Sequence, residues 1–228
     1  MQPSFDHNKL LTKIAKDRLK PHGIEQKGKS RTFLYDHCLY TIVIEFQPSS
    51  SAKGTYLNIG VDFNFYPRDY FAFSHGYREK AFQEAEDEAQ FTKIIHSYCD
   101  TAIKRLDQLK KAFADIDTAI STLTKKSIND PWDYFDVGVL CGLAGRKKQA
   151  ETMLKRLENK KCEFAYEFER NKQTVEVLTW LEGDSNFDAH IKSLVEKTRL
   201  LKKLPTVEIR WEVSSATRPN NIFTFWRK

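Results

Sequence analysis

The fold is decided by residues 40–67, which read YTIVIEFQPSSSAKGTYLNIGVDFNFYP. Apolar and polar residues alternate in two runs of this stretch, and successive side chains of a β-strand point to opposite faces. Each run therefore predicts a strand with one apolar and one polar face. The apolar positions are Tyr40, Ile42, Ile44 and Phe46 in the first run and Leu57, Ile59, Val61, Phe63 and Phe65 in the second. Pro48 and the serine-rich segment 49–54 separate the runs, which predicts an antiparallel hairpin.

The two faces fix the register of this hairpin, because a slip of one residue would turn one apolar set outward. The pairs expected on the apolar face are Phe46 with Leu57, Ile44 with Ile59, and Ile42 with Val61. The pairs expected on the polar face are Glu45 with Asn58 and Thr41 with Asp62, and Gln47 lies diagonal to Asn58. This polar face is either solvated, as is common for antiparallel sheets, or a groove that receives a partner.

The composition predicts a soluble protein with a sizeable core. The chain has 228 residues, of which 40% are hydrophobic and 13% aromatic. No apolar run approaches the roughly 20 residues that span a bilayer, and the N-terminus lacks the layout of a signal peptide. The four cysteines are widely spaced without a C-x-x-C motif, which favours reduced thiols and a cytoplasmic location over disulfides. The net charge of +6 suits nucleic acid, anionic lipid or an acidic protein surface, although a solvated basic surface explains it equally simply.

Three regions are expected along the chain: an antiparallel α+β module at 1–83, a helical region at 84–205, and a C-terminal strand tail at 206–228 that either pairs with itself or joins an edge of the N-terminal sheet. The module begins with a helix at 5–20, ended by Pro21 and Gly23, which covers the apolar face of a sheet of three or more strands. A strand is expected around residues 31–36. Residues 70–73 suggest a short edge strand, followed by a turn at 74–76.

The helical region shows apolar residues at steps of three and four. The pattern at 84–126 would make one helix of about 60 Å, longer than a compact domain needs, so a break or a projecting end is expected. Asp130 and Pro131 begin an αα-hairpin. A further helix at 163–181 is expected to turn Phe164, Phe168, Val175, Leu178 and Leu181 inward. A last helix ends before Pro205, and the alternating residues 207–213 predict a strand that pairs with residues 223–226.

Short motifs in the N-terminal part resemble a known family. They are Gly23-Ile24, Lys27-Gly28, Thr32-Phe33, Phe46-Gln47 with Ser50, and Asn58-Ile59-Gly60. The chain is similar over residues 8–66 to the uncharacterised bacterial family called domain of unknown function 4304. Ile24 stands where that family often has Phe, and the Gln–Ser spacing is slightly longer here. The resemblance implies a soluble bacterial α+β protein, with no established activity and no catalytic residues to transfer.

No catalytic, metal or cofactor motif is present. The histidines form no H-E-x-x-H, and no Cys/His set has zinc spacing. Asp130, Asp133 and Asp136 are interpreted as helix-start residues rather than as a metal or acid–base cluster. His37-Cys38 could supply a nucleophile only with partners from elsewhere, because adjacent strand residues point apart. Glu45, Asp62 and Asp69 are the acids that the sheet could bring together.

The sequence therefore favours a non-enzymatic protein-interaction module, of the inhibitor or immunity-factor kind, with an unknown protein partner and no membrane. The expected contact residues are Glu45, Gln47, Ser50 and Asn58. The alternative is a nucleic-acid-binding protein that uses basic and aromatic residues, namely Arg210, Arg218, Trp226 and Arg227. A further alternative is an enzyme of unrecognised type. The sequence leaves the oligomeric state open.

Overall fold

The structure of the protein is a computed structural model that describes residues 6–49, 52–125, 128, 130–158, 160–183 and 186–213. These residues form two units. The first comprises residues 6–112 and 188–210, and the second comprises residues 113–187 and 211–213. The described part of the chain contains no helix that is long and apolar enough to cross a membrane. All four cysteines are free thiols, and two of them, Cys99 and Cys141, are buried.

The first unit begins with helix α1 (His7–Leu19), which starts and ends with specific hydrogen bonds. The Asp6 carboxylate accepts the backbone N–H groups of Asn8 and Lys9 at 3.0 Å, so it satisfies donors that the first turn leaves open. A short 3₁₀ turn at Lys20–His22 follows. Gly23 then adopts a positive φ of 75°, a conformation that glycine tolerates because it has no Cβ.

A five-stranded antiparallel sheet follows α1 in simple up-and-down order. The strands are β1 (Glu25–Gln26), β2 (Thr32–His37), β3 (Tyr40–Pro48), β4 (Gly54–Phe63) and β5 (His75–Glu84). The pairs predicted between β3 and β4 are confirmed: Phe46 with Leu57, Ile44 with Ile59, Ile42 with Val61, Glu45 with Asn58, and Thr41 with Asp62. The alternation of apolar residues thus determines the register of this hairpin.

The apolar residues predicted on one face of β3 and β4 are all buried. Helix α2 (Glu88–Ala112) packs against β3, β4 and β5, and α1 packs against α2 and β1. Phe63 and Phe65, whose burial tests the alternation, are 1% and 0% exposed. The hydroxyl of Tyr98 on α2 donates to the Ala81 carbonyl at 2.6 Å, which satisfies the one polar atom that this ring brings into the core.

The edge strand predicted at residues 70–73 is wrong, because the strand that follows β4 is β5 at His75–Glu84. Tyr70, Phe71 and Phe73 lie outside the strands, and the predicted turn at 74–76 overlaps the start of the strand at His75. Charged residues interrupt the apolar alternation in β5, and its pairing with β4 is irregular at two places, so the period of two is lost. Bulges and charges are typical of outer strands, where they discourage pairing with another chain.

The second unit contains α3 (Ile116–Thr124), α4 (Pro131–Leu143), α5 (Lys147–Glu158) and α6 (Ala165–Gly183). The predicted break in the 84–126 segment lies between α2 and α3, where Asp115 and Thr118 form a capping box. Helices α4 and α5 form the predicted αα-hairpin, and Asp130 caps α4 by accepting the Trp132 N–H at 2.8 Å. Gly138 lets the hairpin close, since a Cβ there would lie 2.6 Å from Leu154 Cγ.

The predicted inward face of α6 is correct only in part. Leu178 and Leu181 are buried, but Phe164, Phe168 and Val175 are 55%, 60% and 49% exposed. The buried positions of this helix are Arg170, Gln173, Thr174, Val177, Leu178 and Leu181. At 100° per residue Phe168 and Val175 lie on the opposite side of the helix from this stripe, and Phe164 precedes the helix. Three of the six residues of the stripe are polar, so a search for apolar residues does not find it.

The predicted C-terminal strand pair is not found in the described residues. Helix α7 (Phe187–Leu201) ends before Pro205 as expected, but residues 204–213 are irregular, and residues 223–226 lie outside the described residues. Backbone carbonyls of this segment bond outside any ladder: Pro205 O accepts from Arg199 Nη2 at 2.7 Å, and Glu212 O accepts from Ile116 N at 3.0 Å. Alternating side chains make a strand only when the backbone finds a partner strand.

Candidate functional site

The second face of the sheet divides into two polar halves at a pair of glycines. Gly60 on β4 lies opposite Gly76 on β5, and a Cβ on Gly60 would lie 2.6 Å from Gly76 Cα and 2.8 Å from Phe73 Cδ1. The Phe73 ring therefore lies against the backbone where side chains are missing. On one side of this boundary the polar residues are partly exposed, and on the other they are fully buried.

The exposed half contains four mutually bonded side chains from three strands, Glu45, Gln47, Asn58 and Arg78, which we call the open cluster. Asn58 Nδ2 donates to Glu45 Oε2 and to Gln47 Oε1, both at 2.9 Å. Arg78 Nη2 donates to Gln47 Oε1 at 3.0 Å, and Arg78 Nε donates to Asn58 Oδ1 at 3.3 Å. The Arg78 guanidinium also lies 4.2 Å from the centre of the Tyr56 ring. These contacts fix the position of every charged and amide group in the cluster.

The buried half contains five polar residues, Thr41, Asp62, Asn64, Arg68 and Lys202, which we call the buried cluster. Lys202 Nζ donates to Asp62 Oδ2 at 2.8 Å and to Asn64 Oδ1 at 3.0 Å, and the side chains of Lys202 and Asp62 are both 0% exposed. Arg68 pairs with the other Asp62 oxygen. Asn64 Nδ2 donates to Thr41 Oγ1 at 3.3 Å. The residue that links these groups comes from the turn after α7, far from the hairpin in sequence.

The charges of the buried cluster do not balance. One carboxylate, Asp62, faces two cations, Arg68 and Lys202. Burial lowers the pKa of Lys202 to about 8; the charge of Asp62 and its hydrogen bond oppose this shift, whereas Arg68 and Lys27 add to it. The ammonium group thus loses hydration that one shared counter-ion only partly replaces. When Lys202 is neutral, Asp62 and Arg68 form a balanced pair.

A cavity of about 650 Å³ lies in the first unit, beside β1 and β2. Its walls come from the segment Gly23–Gly28, from Leu34 and Asp36 on β2, and from Leu201–Pro205 after α7, with Asp69 beside them. Asp36 is held by Arg199, whose two terminal nitrogens donate to its two oxygens at 2.7 Å. This bidentate pair fixes α7 to the end of β2.

Three of the four predicted contact residues meet in the open cluster. Asn58 donates to both Glu45 and Gln47, whereas Ser50 lies outside the described residues. The sequence missed Arg78 and Tyr56. Arg78 belongs to the strand that was placed wrongly, and Tyr56 precedes the run from which the second strand was recognised. An arginine opposite Asn58 could have been inferred only after β5 had been recognised as a strand.

The residues predicted for nucleic-acid binding are not brought together in the described part of the chain. Arg210 is exposed, and its guanidinium pairs with Glu208, which neutralises its charge locally. Arg218, Trp226 and Arg227 lie outside the described residues. The geometry therefore adds no support to this alternative.

The sequence suggested two arrangements that could be catalytic: three acids brought together by the sheet, and the pair His37-Cys38. Within the described ranges, no group of three His, Cys, Asp or Glu side chains could hold a metal ion. Asp62 is fully paired in the buried half, Glu45 lies in the other half of the face, bonded to Asn58, and Asp69 lies outside the strands, beside the cavity. The ring of His37 stacks on Tyr40 with centroids 4.5 Å apart, and neighbouring Cys38 has a positive φ of 60°.

Comparison with known proteins adds no further constraint. The chain matches no family model, and searches of curated proteins and of solved structures found no match. The functional argument therefore depends on the contacts of the chain itself.

Proposed function

We propose that the protein is a non-enzymatic interaction module that binds a partner protein through the open cluster. The observation that carries this proposal is the bonding of Glu45, Gln47, Asn58 and Arg78 into one partly exposed group above Tyr56. Ordering such side chains at an interface costs conformational entropy, and here most of that cost is met before a partner arrives. Polar side chains that are fixed at the surface in this way contribute more to partner binding than to the stability of the fold.

The chemistry of the open cluster favours a polar protein partner. Arginine and tyrosine are enriched among the residues that dominate binding energy at protein interfaces. Glu45 offers a carboxylate and Arg78 a guanidinium on the same surface, so the cluster is charge-balanced and suits a partner that presents one basic and one acidic group. The net charge of +6 disfavours partners with a strongly basic surface, such as the surroundings of a nuclease active site.

The proposal also includes a bacterial origin and a cytoplasmic location for the protein. The resemblance to the bacterial family of unknown function 4304 supports a bacterial origin. Four free cysteines support a cytoplasmic location, because disulfides are rare in reducing compartments. An inhibitor or immunity-type factor is the kind of interaction protein that agrees with these features.

The proposal is tested by quantitative affinity capture from a lysate of the source organism, using the tagged full chain. We expect a defined set of proteins to bind the wild-type chain and to be lost with Arg78→Ala and with the double variant Gln47→Ala/Asn58→Ala. Lys13→Ala on the exposed side of α1 is the matched control and should retain the set. Circular dichroism and thermal unfolding confirm that every variant is folded. Equal recovery by the Arg78→Ala and Lys13→Ala proteins would refute the open cluster as the contact surface.

A further inference from the structure

The cavity beside β1 and β2 has the size and the walls of a small-molecule site. Its volume of about 650 Å³ lies within the range of about 300–1,000 Å³ that is usual for ligand pockets. It is built from the strand β1 and its flanking turns, β2 and the turn after α7, all within the first unit. The open cluster does not line it, so the proposed partner surface leaves this cavity unused.

The apolar walls of the cavity indicate a ligand with an apolar body. These walls are Leu34, Leu201, Leu204 and Pro205. Leu201, the last residue of α7, is 40% exposed although it is a large apolar side chain. Burying such surface against a ligand is favourable by about 25 cal/mol per Å². An inorganic ion would gain nothing from these four residues.

The cations beside the cavity outnumber their counter-ions. Lys27, Lys202 and Lys203 line it, and the ammonium groups of Lys27 and Lys202 lie 4.2 and 5.2 Å from the centre of the same Phe71 ring. In the described part of the chain, Lys27 has no carboxylate partner, and Lys202 shares Asp62 with Arg68. Two like charges close to one ring repel each other; the pKa of Lys202 is lowered mainly by burial, and the charges of Arg68 and Lys27 lower it further. A single negative charge at this wall would relieve the excess.

The acidic residues of the cavity limit the charge of the ligand. Asp36 is neutralised by Arg199, but Glu25 and Asp69 line the cavity without an ion-pair partner among the described residues. They would repel a nucleotide or another polyanion. A ligand with one negative charge, placed at Lys27, is therefore repelled less by this lining than a polyanion is.

We propose that this cavity binds an organic monocarboxylate, with its carboxylate at Lys27 and its apolar body against Leu34, Leu201 and Leu204. The apolar walls disfavour a bare anion, Lys27 favours a negative charge because it has no carboxylate partner among the residues that the structure describes, and Glu25 and Asp69 disfavour a polyanion. The site is independent of the open cluster, and so its failure would leave the proposed partner surface untouched.

The proposal is tested by isothermal titration calorimetry and thermal unfolding of the full chain. The probes are phenylacetate and hexanoate, their neutral amides phenylacetamide and hexanamide, and acetate as the anion without an apolar body. We expect saturable binding and a higher Tm with the two larger carboxylates only. Lys27→Gln should weaken their binding about tenfold, because it removes a charge-assisted hydrogen bond. Leu201→Asp should weaken it by at least as much, since it places a second negative charge on an exposed part of the apolar wall.

The control variant is Lys29→Gln, which changes the net charge equally, two residues away and outside the cavity lining. It should bind the probes as the wild-type chain does. Three results would overturn the proposal: amides that bind as tightly as carboxylates, equal weakening by Lys27→Gln and Lys29→Gln, or no binding of either larger carboxylate at millimolar concentration. Chemical shifts of the leucine methyl groups locate the probe, and only changes at Leu34, Leu201 and Leu204 agree with this site.

Discussion

The two halves of the second sheet face carry similar residues in opposite environments. Each half contains an asparagine, a carboxylate and an arginine. In the open cluster Asn58 bonds to Glu45 and Arg78, and in the buried cluster Arg68 bonds to Asp62 while Asn64 bonds to Thr41. In the open cluster these groups are partly exposed, and Arg78 is solvent-exposed. In the buried cluster Asp62, Asn64 and Lys202 are 0%, 0% and 3% exposed. The residue types are therefore not what separates a recognition surface from a structural core.

The two halves differ because other parts of the chain bury one of them and leave the other exposed. Lys202, in the turn after α7, reaches Asp62, and the backbone N–H of Ala72 donates to the same carboxylate at 3.1 Å. A buried charge is tolerated only where it is paired and hydrogen-bonded, so the covered half depends on every one of its contacts. The open cluster retains access to water, which replaces any contact it loses. The two halves should therefore respond very differently to mutation.

The largest expected effect is that of Asp62→Ala in the buried cluster. This change leaves Arg68 and Lys202 without their shared counter-ion in the interior, and breaking a buried ion pair typically costs about 3–5 kcal/mol. The matched change in the exposed half, Glu45→Ala, should cost about 1 kcal/mol or less, because water can solvate Asn58. Urea unfolding at neutral pH measures both free energies. Equal losses in the two variants would contradict the distinction between the halves.

A smaller loss, about 1–3 kcal/mol, is expected for Gly60→Ala at the boundary between the halves. The new methyl group would meet Gly76 Cα, which is backbone, and so the strands would have to separate locally. Gly183→Ala at the end of α6 is the control, because nothing lies within 4 Å of a Cβ there. That change should leave the free energy of unfolding within about 1 kcal/mol of the wild-type value. A loss of stability for Gly60→Ala as small as that for Gly183→Ala would show that the Phe73 ring is not closely packed against Gly60 and Gly76.

The sequence could predict which residues lie on the polar face of the sheet, but not that one half of this face is exposed and the other buried. Faces and register follow from contacts between strands adjacent in the chain, so the alternation at 40–65 sufficed to pair Glu45 with Asn58 and Thr41 with Asp62. The burial of Asp62 depends on Lys202, which is 140 positions away. No local pattern marks that lysine as different from the exposed lysines around it. Asp62 therefore appeared to be a surface acid.

Recognition of β5 failed for a related reason. An outer strand has one unpaired edge, and the pairing of β5 with β4 is irregular, so its residues follow no strict period. The tail at 207–213 shows the opposite case, because its side chains alternate although the Glu212 carbonyl bonds to Ile116 and not to a strand. Alternation of apolar and polar residues indicates which side chains suit a sheet. It does not indicate whether a partner strand is available.

The pH dependence of stability should also distinguish the two halves. The pKa of Lys202 is about 8 in the folded chain and about 10.5 when unfolded, so between these values the unfolded chain binds more protons. Stability from this group therefore rises with pH over that window, by about 2 kcal/mol between pH 7.5 and 9.5. The groups that face Lys202 are Asp62, Asn64, Arg68 and Lys27.

Urea unfolding across this pH range, compared between the wild-type chain and Lys202→Met, measures the effect. Burial also raises the pKa of Cys99 to about 12 and raises that of Cys141, so these thiols lower stability as unfolded thiols ionise near pH 9. They do so equally in both chains, so the stability of the wild-type chain relative to Lys202→Met should rise with pH by about 2 kcal/mol. Relative to Lys203→Met, at an exposed neighbouring position, it should stay constant. Measurements stop at pH 9.5 because Tyr98, whose pKa burial raises to about 12, adds to the opposing trend once unfolded tyrosines ionise near pH 10. An identical pH dependence in the wild-type chain and Lys202→Met would show that Lys202 is not responsible.

The smallest expected effect on stability is that of Asn58→Ala, and it is the most informative about function. Asn58 bonds to Glu45, Gln47 and Arg78, yet its partners retain water, so the loss should be about 0.5–1 kcal/mol in urea unfolding. Partner binding should fall far more, by about 2 kcal/mol or roughly thirtyfold in Kd, because the side chains would no longer be held in one arrangement. A stability loss as large as that of Asp62→Ala, with partner affinity unchanged, would make the open cluster a structural feature of the sheet.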